Sequence, residues 1–349
     1  NQTVDGTSTI GGNETVKGNQ TTEGNSYTKG TVTVDGTSRF HDNVTVDGKI
    51  RATDNITSNS NIIADGNVVA NTDLIAHGDI KADGNQTIDG NSHIGGNLDV
   101  KGDATVAGDS ETKGNNTVDG NQTVKGDATV NGSTQIDKDL SVKGNESVDG
   151  SSTIGGDSHV QGSQTVDKDQ TVGGNTQVKG NQTVDGSSTI GGDAEVKGNT
   201  QLDKDLSVKG NESVAGSSTI GGDSHVQGSQ TVDKDQTVSG NATVKGDSTV
   251  NGNQTVDKNS HVKGNQTVDG TSTLTGDVTT GSNVTVGKDL TTNGNSETKG
   301  NSTVDGNATV KGDVTINGST QIDKDLSVKG NESVDGSSTI GGDSHVKGS

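Results

Sequence analysis

The sequence predicts an all-β fold, a β-helix or β-solenoid of triangular cross-section with six residues on each edge. Three observations carry that prediction. Nearly every sixth residue from Val4 to Val346 is aliphatic or is Thr, Ala or Ser, over 58 positions without one insertion or deletion. A second column two residues later holds Gly at 46 of those 58 places. Strand formers and turn formers alternate on the same short period, giving the consensus Val-(Asp/Lys)-Gly-(Asn/Asp)-x-Thr. A chain that keeps one phase for this long is stacking each repeat on a neighbour.

Composition excludes a thick globular core. Only 22% of residues are apolar and 1% aromatic, with Tyr27 and Phe40 the sole aromatics. Few large apolar residues and a net charge of −21 also fit a disordered chain. Disorder selects composition and not a strict phase, so the register rejects it. Cysteine is absent, which removes disulfides and thiolate metal sites. No apolar stretch approaches the length of a transmembrane helix, and no signal peptide is present. The chain opens at Asn1 and stops at Ser349 in mid-repeat, which predicts one continuous shaft over residues 1–349 within a longer protein.

Each element follows from the hexad. In Gln2-Thr3-Val4, residues two apart share a side, so Gln2 and Val4 face inward and Thr3 outward. The turn falls at Asp5-Gly6, where Gly is expected to take a positive φ at low cost. Residues 49–84 identify which columns share the interior. There the aliphatic column turns small (Ala52, Ser58, Ala64) while the column two before turns large (Ile50, Ile56, Ile62). Volume traded between two columns implies one cavity filled by both. The twelve non-Gly corners, such as Asp137-Lys138-Asp139, read either as strained turns or as simple tolerance at an exposed position.

Two β-helices fit a hexad. A single chain can close a coil every three hexads, stacking residue i on i+18, as in a left-handed single-chain helix. Three identical chains can instead interleave, stacking i on i+6. In the column after the aliphatic residue, a spacing of six gives 16 opposite-sign pairs and one like-sign pair. A spacing of eighteen gives four opposite and 13 like, including Asp149, Asp167, Asp185 and Asp203. Opposite charges on strands ~4.8 Å apart attract, each by a few tenths of a kcal/mol. The charge pattern therefore favours an interleaved homotrimer; descent from a duplicated twelve-residue unit would give the same alternation. Residues 133–163 recur at 319–349 with one change, and 134–172 recur at 200–238 with two. Neither offset is a multiple of three hexads, so no face of a single-chain prism is special. At one strand per hexad a trimer would span about 280 Å, and a lone coil about 93 Å.

Runs such as Thr123-Val124-Lys125-Gly126-Asp127-Ala128-Thr129-Val130-Asn131-Gly132 resemble the repetitive shafts of bacteriophage tail fibres and related surface fibres. The Val-x-Gly core of Val118-Asp119-Gly120 is similar to the repeat of phage cell-puncturing spikes, which form a triple-stranded β-helix. The repeat here has six residues in place of the eight of the spikes. It also differs from single-chain left-handed hexapeptide helices, whose inward residue two before the aliphatic is small; here Gln2, Glu14, Gln122, Glu146 and Glu332 stand there. The resemblance implies an extracellular shaft on a virion or cell surface, flanked by base and tip domains.

Chemistry is sparse. Hexapeptide acyltransferases resemble one another in a catalytic His and a loop that breaks the repeat, and no loop breaks this one. His41 and His77 fall at corners; His93, His159, His225, His261 and His345 fall at outward mid-strand positions, without pocket or partner. Gly-Gly pairs such as Gly155-Gly156 look like phosphate loops, yet no strand-to-helix transition follows. Asp-Lys-Asp corners lack calcium-loop spacing. The expectation is therefore no enzyme, no catalytic, cofactor or metal residues, and no cofactor. The acidic balance, without a basic stripe, argues against nucleic acid; membrane insertion is not expected either. Asn-x-Ser/Thr triplets (Asn1, Asn13, Asn121 and others) are sequons that the consensus generates by itself. The expected function is a structural fibre shaft, a rigid spacer presenting a receptor-binding or adhesive tip. The alternatives are an ice-binding solenoid and a homopolymeric extracellular filament or adhesin. Outward Thr3, Thr9, Thr15 and Thr21 resemble antifreeze threonine ladders, which Arg39, Lys81 and Asp99 then interrupt.

Overall fold

A computed structural model describes residues 1–349. The chain forms 58 strands of three residues each and no helix. It divides into two compact units, Asn1–Gln177 and Val178–Ser349. Each is a parallel β-solenoid in which consecutive strands fall in turn on three sheets. In the first unit, β1 (Gln2–Val4), β2 (Ser8–Ile10) and β3 (Glu14–Val16) begin the first, second and third sheets. The next strand, β4 (Gln20–Thr22), returns to the first and pairs with β1, Gln2 against Gln20 and Val4 against Thr22. The second unit keeps the same register, with Gln236 against Gln254 and Val238 against Val256.

This pairing departs from the interleaved arrangement. The neighbour of each strand lies eighteen residues away in the same chain, not six residues away in a partner. The reason is backbone saturation: a chain on its own meets its strand donors and acceptors only by closing on itself. Glu23 N donates to Val4 O at 2.9 Å, and Lys29 N to Ile10 O at 2.9 Å. Like charges consequently stack, as Lys245 on Lys263 in the second unit. One expected attraction is also made: Lys101 Nζ reaches Asp83 Oδ1 at 3.0 Å across one coil. That ammonium holds the Asp83 carboxyl below its usual range.

The inward and outward assignment from sequence holds. Val34, Val124 and Val238 are fully buried, and so are Ile62 and Ala64 of the volume-trading segment. Several of the large inward polar residues, which argued against a single-chain helix, are accommodated by bonding to one another, whereas Gln86 is buried with neither side-chain polar atom bonded. Asn116 Nδ2 donates to Gln122 Oε1 at 2.8 Å, Gln254 Nε2 to Gln236 Oε1 at 3.0 Å, and Gln266 Nε2 to Gln254 Oε1 at 2.6 Å.

The corners correct the expected turn chemistry. No residue, glycine included, has a positive φ. Glycine is required by close approach instead. A Cβ on Gly126 would fall onto Asp109 Oδ1 and lie 2.8 Å from the carbonyl carbon of Gly108, one coil below. With no side chain there, Gly126 N donates to Gly108 O at 3.0 Å. The Asp137-Lys138-Asp139 corner is unstrained, which favours tolerance over strain. Gly156 N still donates to the Lys138 carbonyl at 2.9 Å, but the Lys138 amide makes no corner bond to the coil below.

Candidate functional surface

The residue after each corner glycine does more than its turn propensity suggested. Asn97 Oδ1 accepts the backbone N–H of Asn115 at 2.8 Å, and Asn115 Oδ1 accepts that of Ser133 at 2.8 Å. In the second unit, Asn295 Oδ1 accepts from Asp313 N at 2.9 Å and Asp313 Oδ1 from Asn331 N at 2.7 Å. Each corner thus carries a side-chain ladder parallel to the strand ladder, satisfying amides that the three-residue strands leave over. Asn, Asp and Ser all supply such an acceptor, which is why the consensus interchanges them. The sequon asparagines belong to this ladder: Asn121 Oδ1 accepts from Asp139 N at 3.2 Å. Sequence reasoning missed the ladder because it took these residues as turn formers alone.

Three carboxyls are buried: Glu14 and, deeper, Glu146 and Glu212. Glu146, in the first unit, accepts from Gln164 Nε2 at 2.6 Å; Glu212, in the second, accepts from Gln230 Nε2 at 2.5 Å. Burial pushes both up to about 7, against a smaller downward pull from the glutamine. They occupy copies of one duplicated block on different sheets. Neither opens to solvent, so neither is placed to act on a ligand.

The histidines sit where the hexad puts them, on the outer surface. His93 Nδ1 lies 2.8 Å from Glu111 Oε2, and His41 Nε2 lies 3.5 Å from Glu23 Oε2. The His93–Glu111 pair borders an open groove of about 470 Å³ with Asp73, Ile75, Asp109 and Asp127. Asp73 and Asp109 already spend an Oδ1 on the amides of Asn91 and Asp127. No group of three or more His, Cys, Asp or Glu side chains converges to hold a metal ion. No helix is long and apolar enough to cross a membrane.

The outer threonines align further than the sequence suggested. On the first sheet of the second unit, Thr219, Thr237, Thr255, Thr273, Thr291 and Thr309 stack in consecutive coils. On the third sheet, Thr231, Thr249, Thr267, Thr285 and Thr303 do the same. A stride of eighteen residues, not six, brings these residues together. In the second unit His225, His261 and Glu297 fall on the second sheet, while Arg39, Lys81 and Asp99 all belong to the first unit. Comparison with protein-family models, curated proteins and solved structures returns no match.

Proposed function

We propose that this chain is a structural shaft, a stiff non-catalytic spacer outside the cell or on a virion that holds a receptor-binding or adhesive tip away from its base. The observation that carries the reading is the unbroken coil-on-coil hydrogen bonding within each unit, with no loop and no convergent side-chain cluster. A solenoid of this kind resists bending because every coil is bonded to the next on three sheets. Electron microscopy of the purified chain tests it: straight particles of constant width are expected, and a flexible or collapsed chain would sink the reading.

The finer question is chain number, where the alternative to the single-chain coil is an interleaved homotrimer. Its support is the charge alternation at a spacing of six, which the eighteen-residue register turns into stacked like charges. Mass and length decide it together, a three-chain particle near the longer length against a one-chain particle near the shorter.

A second reading, ice binding, is favoured by the aligned Thr219–Thr309 rank, whose hydroxyls and methyls repeat at ~4.8 Å on a regular face. The rank is one residue wide, because only the middle residue of each strand points out. Thermal hysteresis in a solution of the purified chain would support this reading; its absence removes it.

A further inference from the structure

The third sheet of the second unit differs from its other faces in how charge is laid out across it. Its outward mid-strand column is uncharged from Ser213 through Thr231, Thr249, Thr267 and Thr285 to Thr303, and carries Glu195 one coil before Ser213. One bounding edge carries Lys209, Lys245, Lys263 and Lys299; the other carries Asp233, Asp269, Asp305 and Asp323. All eight are exposed, as are Lys234, Lys288 and Lys324 at the corners next to the Asp column. The column between the Lys edge and the threonines is Asn or Ser from Asn211 to Ser319, except at Asp247. None of the eight makes an ion pair within the molecule, though Asp233 Oδ1 accepts from Asn251 Nδ2 at 3.2 Å and Asp323 Oδ1 from Gln321 Nε2 at 3.0 Å. Stacking makes matters worse, because Lys245 faces Lys263, and Asp305 faces Asp323, one coil apart.

We propose that this face takes a second copy of the chain, laid parallel and in register, with the Lys edge of each against the Asp edge of the other. The symmetry follows from the charge layout. A two-fold axis parallel to the coil axis brings the Lys edge onto the Asp edge on both sides of the contact. A two-fold axis perpendicular to it, as in an antiparallel pair, would set Lys on Lys and Asp on Asp. In the parallel arrangement Lys263 meets Asp269 of the second copy and Lys299 meets its Asp305, each pair occurring twice. At the same level Lys209 meets Ala215 and Lys245 meets Asn251, so no like charges are opposed in the seven coils from Ser213 onward; the contact ends there, because Glu195 one coil before would face its own copy. Between the edges two threonine ranks with flat, small flanks meet, which allows close approach.

Size is compatible. Seven coils rise about 34 Å, and a hexad is at most about 20 Å wide, so each copy would bury roughly 600 Å². The total of about 1,200 Å² reaches the lower end of specific interfaces. Exposed ion pairs contribute little singly and are screened by salt, so a weak, salt-sensitive association is expected. The proposal does not depend on the shaft reading. It needs only the eighteen-residue register, which an interleaved trimer would not have.

The test uses the full 349-residue chain. Sedimentation equilibrium should show a dimer at about 0.05 M salt that dissociates toward 0.5 M. The variant K263E/K299E should raise the dissociation constant at least about tenfold. Adding D269K/D305K should restore it to within about threefold, with circular dichroism unchanged throughout. Because the chain has no cysteine, T231C reports direction: oxidation should give a covalent T231C homodimer. A crosslink formed only between T231C and T303C chains would show an antiparallel pair and overturn the proposal. A monomer at low salt would overturn it too, as would thermal hysteresis by a monomer, which would assign the face to ordered water, or a three-chain particle.

Discussion

Gly126 and Gly6 are the same residue under opposite constraints. A Cβ at Gly126 meets the coil below, whereas one at Gly6, in the first coil, meets nothing within 4 Å. Gly126→Ala should therefore cost about 2–3 kcal/mol, from overpacking and the loss of one corner bond. Gly6→Ala should be neutral or slightly stabilising, because it only restricts the unfolded chain. Thermal or urea unfolding of the two variants checks the contrast, and equal effects would show that turn conformation, not space, selects glycine. Asn97→Ala should cost about 1 kcal/mol by freeing the Asn115 amide, while Asn97→Asp should retain the bond. The sequence displayed both columns clearly, but not their reason. Positive φ was the natural inference from isolated glycines, and only the packing of one coil on another reveals a steric requirement.

At the level of the element, a three-residue strand has two inward side chains, and the interior must satisfy whatever they bring. Alternation made the inward pair legible from Gln2-Thr3-Val4, and the volume trade at 49–84 confirmed it. What the sequence did not reveal was how Gln and Glu are housed, since amide-to-amide bonding links strands eighteen residues apart, as in Gln254–Gln236. Glu146 and Glu212 make that interior sensitive to pH. Their folded values, about 7, lie above the ordinary 4.5. The folded state thus binds protons more tightly than the unfolded state. Their contribution is fully present below pH 4.5, falls as pH rises toward 7, and levels off above it. The loss is about 3 kcal/mol per carboxyl. The double variant E146Q/E212Q should be more stable than the parent at pH 8 and nearly equal to it at pH 4, by urea midpoints. A parallel shift at both values would contradict the assignment.

For the molecule as a whole, the all-β repeat and its phase were legible because every hexad repeats the same physics. The pairing partner was not, since six and eighteen are both consistent with a six-residue period. Charge alternation pointed to six, while the structure closes at eighteen, where like charges such as Lys245 and Lys263 stack. Each such contact costs only a few tenths of a kcal/mol. The aligned threonines and the Lys and Asp edges of the second unit escaped notice for the same reason: they exist only at a stride of eighteen. Inserting a second copy of residues 265–270 should leave the melting temperature within a few degrees, because any hexad fits any edge. Inserting five residues instead should unfold the surrounding coils, because it turns inward side chains outward. Calorimetry of the two insertions separates these outcomes, and equal damage would refute the equivalence of hexads.

The three copies of the duplicated block place Glu146, Glu212 and Glu332 on the first, third and second sheets respectively. Copying errors of any whole number of hexads are therefore absorbed without harm to the backbone. Each hexad gained or lost acts like a click of a combination dial, swinging everything downstream by one side. Such a chain can lengthen by recombination while reshuffling which decorations line up, so its outer pattern is free to diverge far faster than its interior.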